Sequence, residues 1–390
     1  YDIQEEMGKV DAKRITPSLA SKIALRAGVK TMLLGSILQS KPQLAVTTQL
    51  IEVKSGKVLK SQRITGFTTD KIFTLVDSLA ILVRNDLKIT PAAVTEAKSV
   101  AEVTTNSPEA YRSYLEGVEL NKKVYSDEAE AAFKRAIELD SNFAMAYFGL
   151  ANVWRPGARD LTAQRKASEK AWKLRDRVTE RERLQIEALY AGGVDVNLYR
   201  AAEIMEKLLQ KYPHEQSVYD NLGRIYQNLG DYKRQELTYL AGLKQDSLDK
   251  LLWNSIAYYY SQSGRKREAL EAIDRYLQIA PAEPNPYDSK GDIYSAFGEL
   301  DSAVFWYQKA ISFRSDFASV RKLGSISVWR QDYASAEKYF RQYGSAANPF
   351  QKAAAKSDLN SILLHRGQLK EVQKEVQKNL VLHQGQKLRE

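Results

Sequence analysis

A spacing of thirty-four residues governs the middle of this 390-residue chain. Gly223, Ala257 and Gly291 fall on it, as do Gly230, Gly264 and Gly298, and Tyr226, Tyr260 and Tyr294. A fixed period of that size marks a solenoid of small units, none of which can bury its apolar face alone. Glycine inside a helix costs about 1 kcal/mol relative to alanine, so the close approach of a second helix must offset it. That helix is supplied by Ala269 and Ala303, twelve positions on, and by Tyr239, Ile273 and Tyr307, sixteen positions on. Gly230, Gly264 and Gly298 fall where the first helix ends, at the position that favours a left-handed backbone. Each unit therefore reads helix, tight turn, helix. Pro281 closes one unit just past its second helix, with Ser247 and Ser315 in that place in its neighbours.

Several positions recur together. One unit shows Tyr219, Leu222-Gly223, Tyr226 and Tyr239; the next shows Trp253, Ala257, Tyr260, Ala269 and Pro281; the third shows Tyr287, Gly291, Tyr294, Ala303, Tyr307 and Ala310. This grammar resembles the tetratricopeptide repeat (TPR), in which Trp/Tyr, Leu-Gly and Tyr are followed by Ala, Phe/Tyr, Ala and Pro. Gln235 and Gly242 stand where the family has alanine. The phase extends back through Met205, Trp154 and Phe133 to Gly117, and forward through Leu323-Gly324 and Phe340, one residue out of phase. Leu359, Leu363, Gly367, Leu369 and Val372 make a divergent last hairpin that caps the stack.

The expected fold is mainly α, a TPR α-solenoid of about seven to eight helical hairpins over residues 107–380, with a frayed tail at 381–390. Ser107-Pro108-Glu109 opens it with an N-cap and a proline at the first helical position. Arg155-Pro156-Gly157 interrupts it, a charged helix from about Leu161 to Arg175 follows, and the capping-box spacing from Thr179 to Glu182 starts a new helix near Glu180. Within Tyr258-Tyr259-Tyr260 the three side chains point in different directions around one helix, and Tyr260 takes the packing position.

Residues 1–90 read differently. Thr16-Pro17 caps a helix of about three turns that runs towards Gly28. Met32 to Leu38, Leu44 to Val53 and Val58 to Phe67 read as three antiparallel strands, and helical spacing returns from Asp70 to Leu87. Ser55-Gly56-Lys57 joins two strands instead of opening a helix, which excludes a phosphate loop. The expectation is a small α+β domain with a three-stranded antiparallel sheet, joined by a linker over 91–106. Ala24 to Val29, Leu34-Gly35-Ser36-Ile37, Thr48-Gln49-Leu50-Ile51 with Ser55-Gly56-Lys57-Val58, and Ile72-Phe73 with Asp77-Ser78-Leu79 carry a resemblance to the TolB-type amino-terminal domain of bacterial multi-domain TPR proteins. That resemblance implies a preceding strand and helix, of which Tyr1 to Gly8 would be the tail.

A net charge of +10 permits an acidic partner, but Lys and Arg are scattered among Asp and Glu, which argues against a nucleic-acid partner. Cysteine is absent, removing thiol chemistry and cysteine-held metals. His214, His365 and His383 are far apart, and no nucleotide loop, nucleophile elbow or kinase motif occurs. No catalytic residue, cofactor or metal is expected, and hence no enzyme activity. The most apolar stretch, Phe73 to Val83, is broken by Asp77 and too short to span a bilayer. An anchor preceding Tyr1 stays open.

In TPR proteins the first helices line a concave groove. The resemblance maps Asp220, Arg224 and Gln227 of one unit, Asn254, Tyr258 and Gln262 of the next, Asp288 and Asp292 of the third, and Arg321 beyond onto that face. The set lacks the Lys and Asn pattern by which chaperone-binding TPR domains clamp a terminal carboxylate. The expected function is a non-catalytic scaffold that binds a protein through the concave face or an edge. The alternative is the extracytoplasmic sensor region of a bacterial signalling protein such as a serine/threonine kinase, cyclase or winged-helix regulator. A periplasmic or membrane-associated location is favoured over the cytoplasm.

Overall fold

The computed structural model describes residues 17–26, 28–40, 43–66, 72–87, 105–153, 161–345, 349–375 and 377. The expected features at Tyr1 to Gly8, at Thr16, in most of the 91–106 linker, from Trp154 to Gly157, at His383 and in the tail at 381–390 lie outside these residues. The chain divides into two compact units, Tyr1–Leu252 and Trp253–Glu390.

The first unit begins with α1 (Pro17–Arg26), β1 (Thr31–Ser40), β2 (Gln43–Glu52), β3 (Val58–Gly66) and α2 (Ile72–Asp86). The strands form an antiparallel meander in which Leu33 faces Leu50 and Val46 faces Ile64. Alternation explains the pairing: Val46, Thr48 and Leu50 are all buried on one face of β2. The β2–β3 turn needs Gly56, whose φ of +69° is left-handed and whose N–H donates to Glu52 O at 2.9 Å. Leu75 of α2 fills the space a Cβ on Gly66 would occupy, and Gln62 Nε2 donates to Asp86 Oδ2 at 2.9 Å, fixing α2 on that face.

Helical hairpins follow: α3 (Pro108–Lys122) with α4 (Ser126–Leu139), α5 (Ala144–Ala151) with α6 (Leu161–Lys173), α7 (Glu180–Gly193) with α8 (Leu198–Lys211), and α9 (Gln216–Asn228) with α10 (Tyr232–Gln245). Ser107 Oγ accepts from Ala110 N, and Pro108 opens α3. The capping box at Thr179 and Glu182 starts α7 at Glu180, as the spacing requires. Phe133 of α4 wedges against both Gly117 and Gly149, where a Cβ would come within 2.7 and 2.5 Å of its ring. Gly223 meets the Tyr239 ring more closely still. Gly242, out of pattern by the repeat grammar, has a physical reason: Leu252 and Tyr219 occupy its Cβ space.

The second unit holds α11 (Lys250–Gln262) from Trp253 on, α12 (Lys266–Ile279), α13 (Pro284–Ala296), α14 (Leu300–Phe313), α15 (Ser319–Trp329), α16 (Tyr333–Gly344), α17 (Pro349–His365) and a helical stretch at 369–375. Gly291 packs on Tyr307 and Gly324 on Phe340, each sixteen positions on. Ala257 and Ile273, at the same two positions of their hairpin, are both fully buried. The turns close as the period predicts: Gly264 and Gly298 sit at φ of +73° and +77°, and Gly230 of the first unit at +74°. The N–H that follows each reaches back to Tyr260, Tyr294 and Tyr226 O at 2.8, 2.9 and 2.9 Å. One expectation is corrected: Tyr259, not Tyr260, is the buried tyrosine of the triplet, and its ring packs 5.5 Å from that of the half-buried Tyr260.

Candidate functional site

The first helices of the second unit carry two rows of side chains spaced one repeat apart. Asn254, Asp288 and Lys322 form one, on α11, α13 and α15; Tyr258 and Asp292 form the other. Side chains thirty-four residues apart meet across neighbouring first helices, and the hydrogen bonds follow that spacing although the glycine phase of the last repeat slips by one residue. Lys322 Nζ donates to Asp288 Oδ2 at 2.7 Å and Tyr258 Oη donates to Asp292 Oδ2 at 2.6 Å, both across thirty-four residues.

Asp292 is the hub. It also accepts from Tyr307 Oη at 2.7 Å and from Lys322 Nζ at 2.6 and 2.7 Å. Ser319 Oγ donates to Asp288 Oδ1 at 2.5 Å, and Ser289 Oγ lies 3.2 Å from Tyr258 Oη. Asp288 is buried, whereas Asp292 and Lys322 keep 26% and 32% of their side-chain surface. These two are what an approaching molecule would meet.

Two carboxylates thus share one ammonium. Burial pushes the Asp288 carboxyl up, Lys322 opposes that, and the adjacent Asp292 adds to it. Burial pulls the Lys322 ammonium down, but the two carboxylates outweigh it and hold it above its ordinary value. Burial, then Asp292 and Asp288, push the Tyr258 hydroxyl far up; burial and Asp292 do the same for Tyr307. Both phenols are therefore fixed as protonated donors, the opposite of what a nucleophile or base requires. Among the described residues no group of three or more His, Cys, Asp or Glu side chains could hold a metal ion. Among them, too, no helix is long and apolar enough to cross a membrane.

The expected groove residues divide into three sets. Tyr258, Asp288 and Asp292 come together in the cluster just described. Asn254 stands in the same row, and its Oδ1 is buried with no hydrogen-bond partner, while Gln262 is exposed at the end of α11. Arg321 turns elsewhere, to a bidentate pair with Asp358 of α17 at 2.6 and 2.9 Å. In the first unit, Asp220 and Arg224 lie one turn apart on α9 at 3.9 Å, and Gln227 is half-buried further along. Sequence reasoning missed Lys322, Ser319 and the polar role of Tyr307. Counting the last repeat from Leu323-Gly324 selects Arg321; counting strictly from Asp288 finds Lys322.

The tetratricopeptide repeat model matches residues 216–247, 252–283 and 285–317. A "TPR repeat-containing protein MJ1428" from Methanocaldococcus jannaschii is 31% identical over 153 residues, covering 39% of this chain and 26% of that protein. The chain thus spans about a quarter of that relative's length. Among solved structures, a tetratricopeptide repeat protein from Parabacteroides merdae is 16% identical over 66% of this chain and 100% of that one, with a TM-score of 0.43. YrrB, described as a TPR protein with an unusual peptide-binding site, is 19% identical over 48% of this chain and 95% of that one, with a TM-score of 0.31. Residues 216–317 carry three tandem tetratricopeptide repeats.

Proposed function

We propose that this chain is a non-catalytic scaffold that binds a protein segment along the first helices of its repeats, with the small α+β region as an attached module. The observation that carries this reading is the row Asn254, Asp288, Lys322 beside Tyr258 and Asp292. Polar side chains recur there at one repeat spacing, and hydrogen bonds fix Asp288, Lys322, Tyr258 and Asp292, while Asp292 and Lys322 stay partly open. A rigid, periodic array of alternating donors and acceptors suits an extended or helical peptide, and ordering it in advance lowers the cost of binding. The phenols and carboxylates are tied to one another, which suits recognition and leaves no group poised for covalent chemistry.

The test uses residues at the surface of these first helices, so that the fold is spared. Cross-linking and mass spectrometry in the native source should identify a captured protein. Replacing exposed Gln262 by Trp, or half-buried Arg224 by Glu, should lower its capture about tenfold, the effect of one good interface residue. Wild-type capture by both variants, at unchanged melting temperature, would place the binding surface elsewhere.

A further inference from the structure

The α13–α14 hairpin adds aromatic side chains to the repeat's own Tyr287: Phe305, Trp306 and Phe313 stand where the preceding repeat has Glu271, Ala272 and Ile279. The Tyr287 ring of α13 stacks on Trp306 at 6.0 Å and 26° and on Phe313 at 5.0 Å and 24°, both rings belonging to α14. Phe305 meets Trp306 edge-on at 5.2 Å and 85°. Lys290 Nζ lies 4.3 Å from the Trp306 centroid and Lys309 Nζ 5.5 Å from that of Phe313. Phe305 is nevertheless 60% exposed and Phe313 41% exposed. The position of Phe305 is held by Glu271 one repeat earlier, so the hairpin folds without an aromatic there.

Charge marks the same face. Lys290 is neutralised by Asp274 at 2.5 Å. Lys309 has no carboxylate partner among the described residues, and neither has Arg275, the equivalent residue one repeat earlier, whose guanidinium meets only Gln278. Exposed ring edges carry the positive end of the aromatic quadrupole. Exposed Glu271 is paired with Arg267 at 3.9 Å and Asp274 with Lys290, so the surface combines exposed rings with two cations, Lys309 and Arg275, that no carboxylate of the described residues neutralises.

We propose that this α13–α14 face docks an acidic amphipathic segment of a partner protein, whose apolar side chains cover Phe305 and Phe313 and whose carboxylates reach Lys309 and Arg275. Single-stranded nucleic acid suits the face less well, because base stacking needs an open ring face and these rings are occupied by one another and by lysines. A second copy of the chain suits it less well too, since a two-fold contact would bring the same cations together. The inference shares the scaffold reading but uses the opposite helix of each repeat.

The probe is a fluorescein-labelled synthetic amphipathic helix with Leu and Phe at i, i+3, i+4 and i+7 and Glu elsewhere, titrated with the intact chain by fluorescence anisotropy. The Phe305→Ala/Phe313→Ala and Lys309→Glu/Arg275→Glu double variants should each lose about tenfold or more in affinity. The same peptide with Gln for Glu should lose about tenfold, and added salt should weaken the Glu peptide. Gln262→Trp should bind the peptide as wild type does, which separates this face from the first-helix surface. The proposal is overturned by failure of the wild-type chain to bind the Glu peptide, or by equal binding of the Gln peptide or of either double variant at unchanged melting temperature. Tighter binding of an oligothymidine than of the peptide overturns it, as does a dimer in sedimentation that dissociates on Phe305→Ala/Phe313→Ala.

Discussion

The α9–α10 hairpin of the first unit and the α13–α14 hairpin of the second are built on the same packing pair and surround it with different chemistry. Gly223 faces Tyr239 as Gly291 faces Tyr307, and both rings are buried. Around Tyr307 the polar groups are tied: its hydroxyl donates to Asp292, which also holds Tyr258 and Lys322. Around Tyr239 the arrangement differs. Buried Gln235 offers Nε2 to its hydroxyl at 3.4 Å and leaves its own Oε1 without a partner, and Asp220 and Arg224 pair along α9 at 3.9 Å. The glycine and ring belong to one hairpin and are set by it. The polar cluster draws on three consecutive first helices, so it exists only where the neighbours supply matching residues at one period.

The shared packing pair is the first place to break the comparison. Gly291→Leu and Gly223→Leu each force a side chain into space held by a tyrosine ring, where at Gly291 even a Cβ would lie 2.5 Å from Tyr307. Both should lose about 3 kcal/mol or more in chemical denaturation, because overpacking of a buried helix pair cannot relax around a ring. Equal losses would confirm that the two hairpins share one packing rule. A variant of either residue that melts like wild type would remove its helix pair from that rule.

The polar cluster separates them next. Lys322→Met leaves Asp288 and Asp292 facing each other without a cation, and an uncompensated, largely buried charge costs about 2–3 kcal/mol. Arg224→Met removes half of a surface pair at 3.9 Å and should stay within about 0.5 kcal/mol. The Lys322→Met loss should shrink in acid as Asp288, whose carboxyl burial pushes up, takes a proton. Equal losses for the two variants at neutral pH would mean that the cluster contributes no more than a surface pair does.

These two outcomes mirror what could be read from the sequence. Glycine and aromatic at fixed spacing announce the helix pair directly, because one steric rule links two residues of the same hairpin, and the left-handed turn glycines are equally legible. The β-meander was legible from alternation along β2. Tyr258, Asp288 and Asp292 were selected as groove residues by position in the repeat, but that position says nothing of depth, and Asp288 is buried. Lys322 was hidden because the last repeat slips by one residue, so Arg321 takes the glycine-counted position while Lys322 makes the contact. The Tyr287, Trp306 and Phe313 stack joins a recurring aromatic of α13 to two rings of α14 that stand where the preceding repeat has Ala272 and Ile279, a contact that spacing within one repeat does not announce.

Acidity sharpens the contrast further. Asp249 caps α11, accepting from Leu252 and Leu251 N–H at 3.0 Å, yet it faces Asp220 and Asp246 where Asp288 faces Lys322. Burial lifts its carboxyl to about 6, against the pull of those N–H groups and with the help of the two aspartates. The unfolded value lies near 3.9, so the folded chain binds the proton more tightly. The sign follows from that: stability is greatest below about pH 4 and is lost as pH rises through about 6. Asn keeps the cap and removes the charge. Asp249→Asn should therefore add on the order of 2 kcal/mol at pH 7 and nothing at pH 4. An equal gain at both pH values would show that the effect is not titration of this carboxyl.

The smallest effect concerns the turns themselves. Val124, between α3 and α4, and Gln331, between α15 and α16, stand where other hairpins place glycine, at φ of 62° and 61°. The closing bonds still form, from Tyr125 N to Leu120 O and from Asp332 N to Ser327 O, both at 2.9 Å. A left-handed backbone disfavours a side chain, most of all one branched at Cβ, by about 1 kcal/mol or more. Part of that gain is lost again because glycine is freer in the unfolded chain. Val124→Gly should therefore raise stability by about 0.5–1 kcal/mol and Gln331→Gly by somewhat less, read from denaturation midpoints at constant slope. Gly264→Ala, the reverse change in a regular hairpin, should cost about 1 kcal/mol. A Val124→Gly chain less stable than wild type would mean that the valine side chain contributes packing in that turn which outweighs its backbone strain.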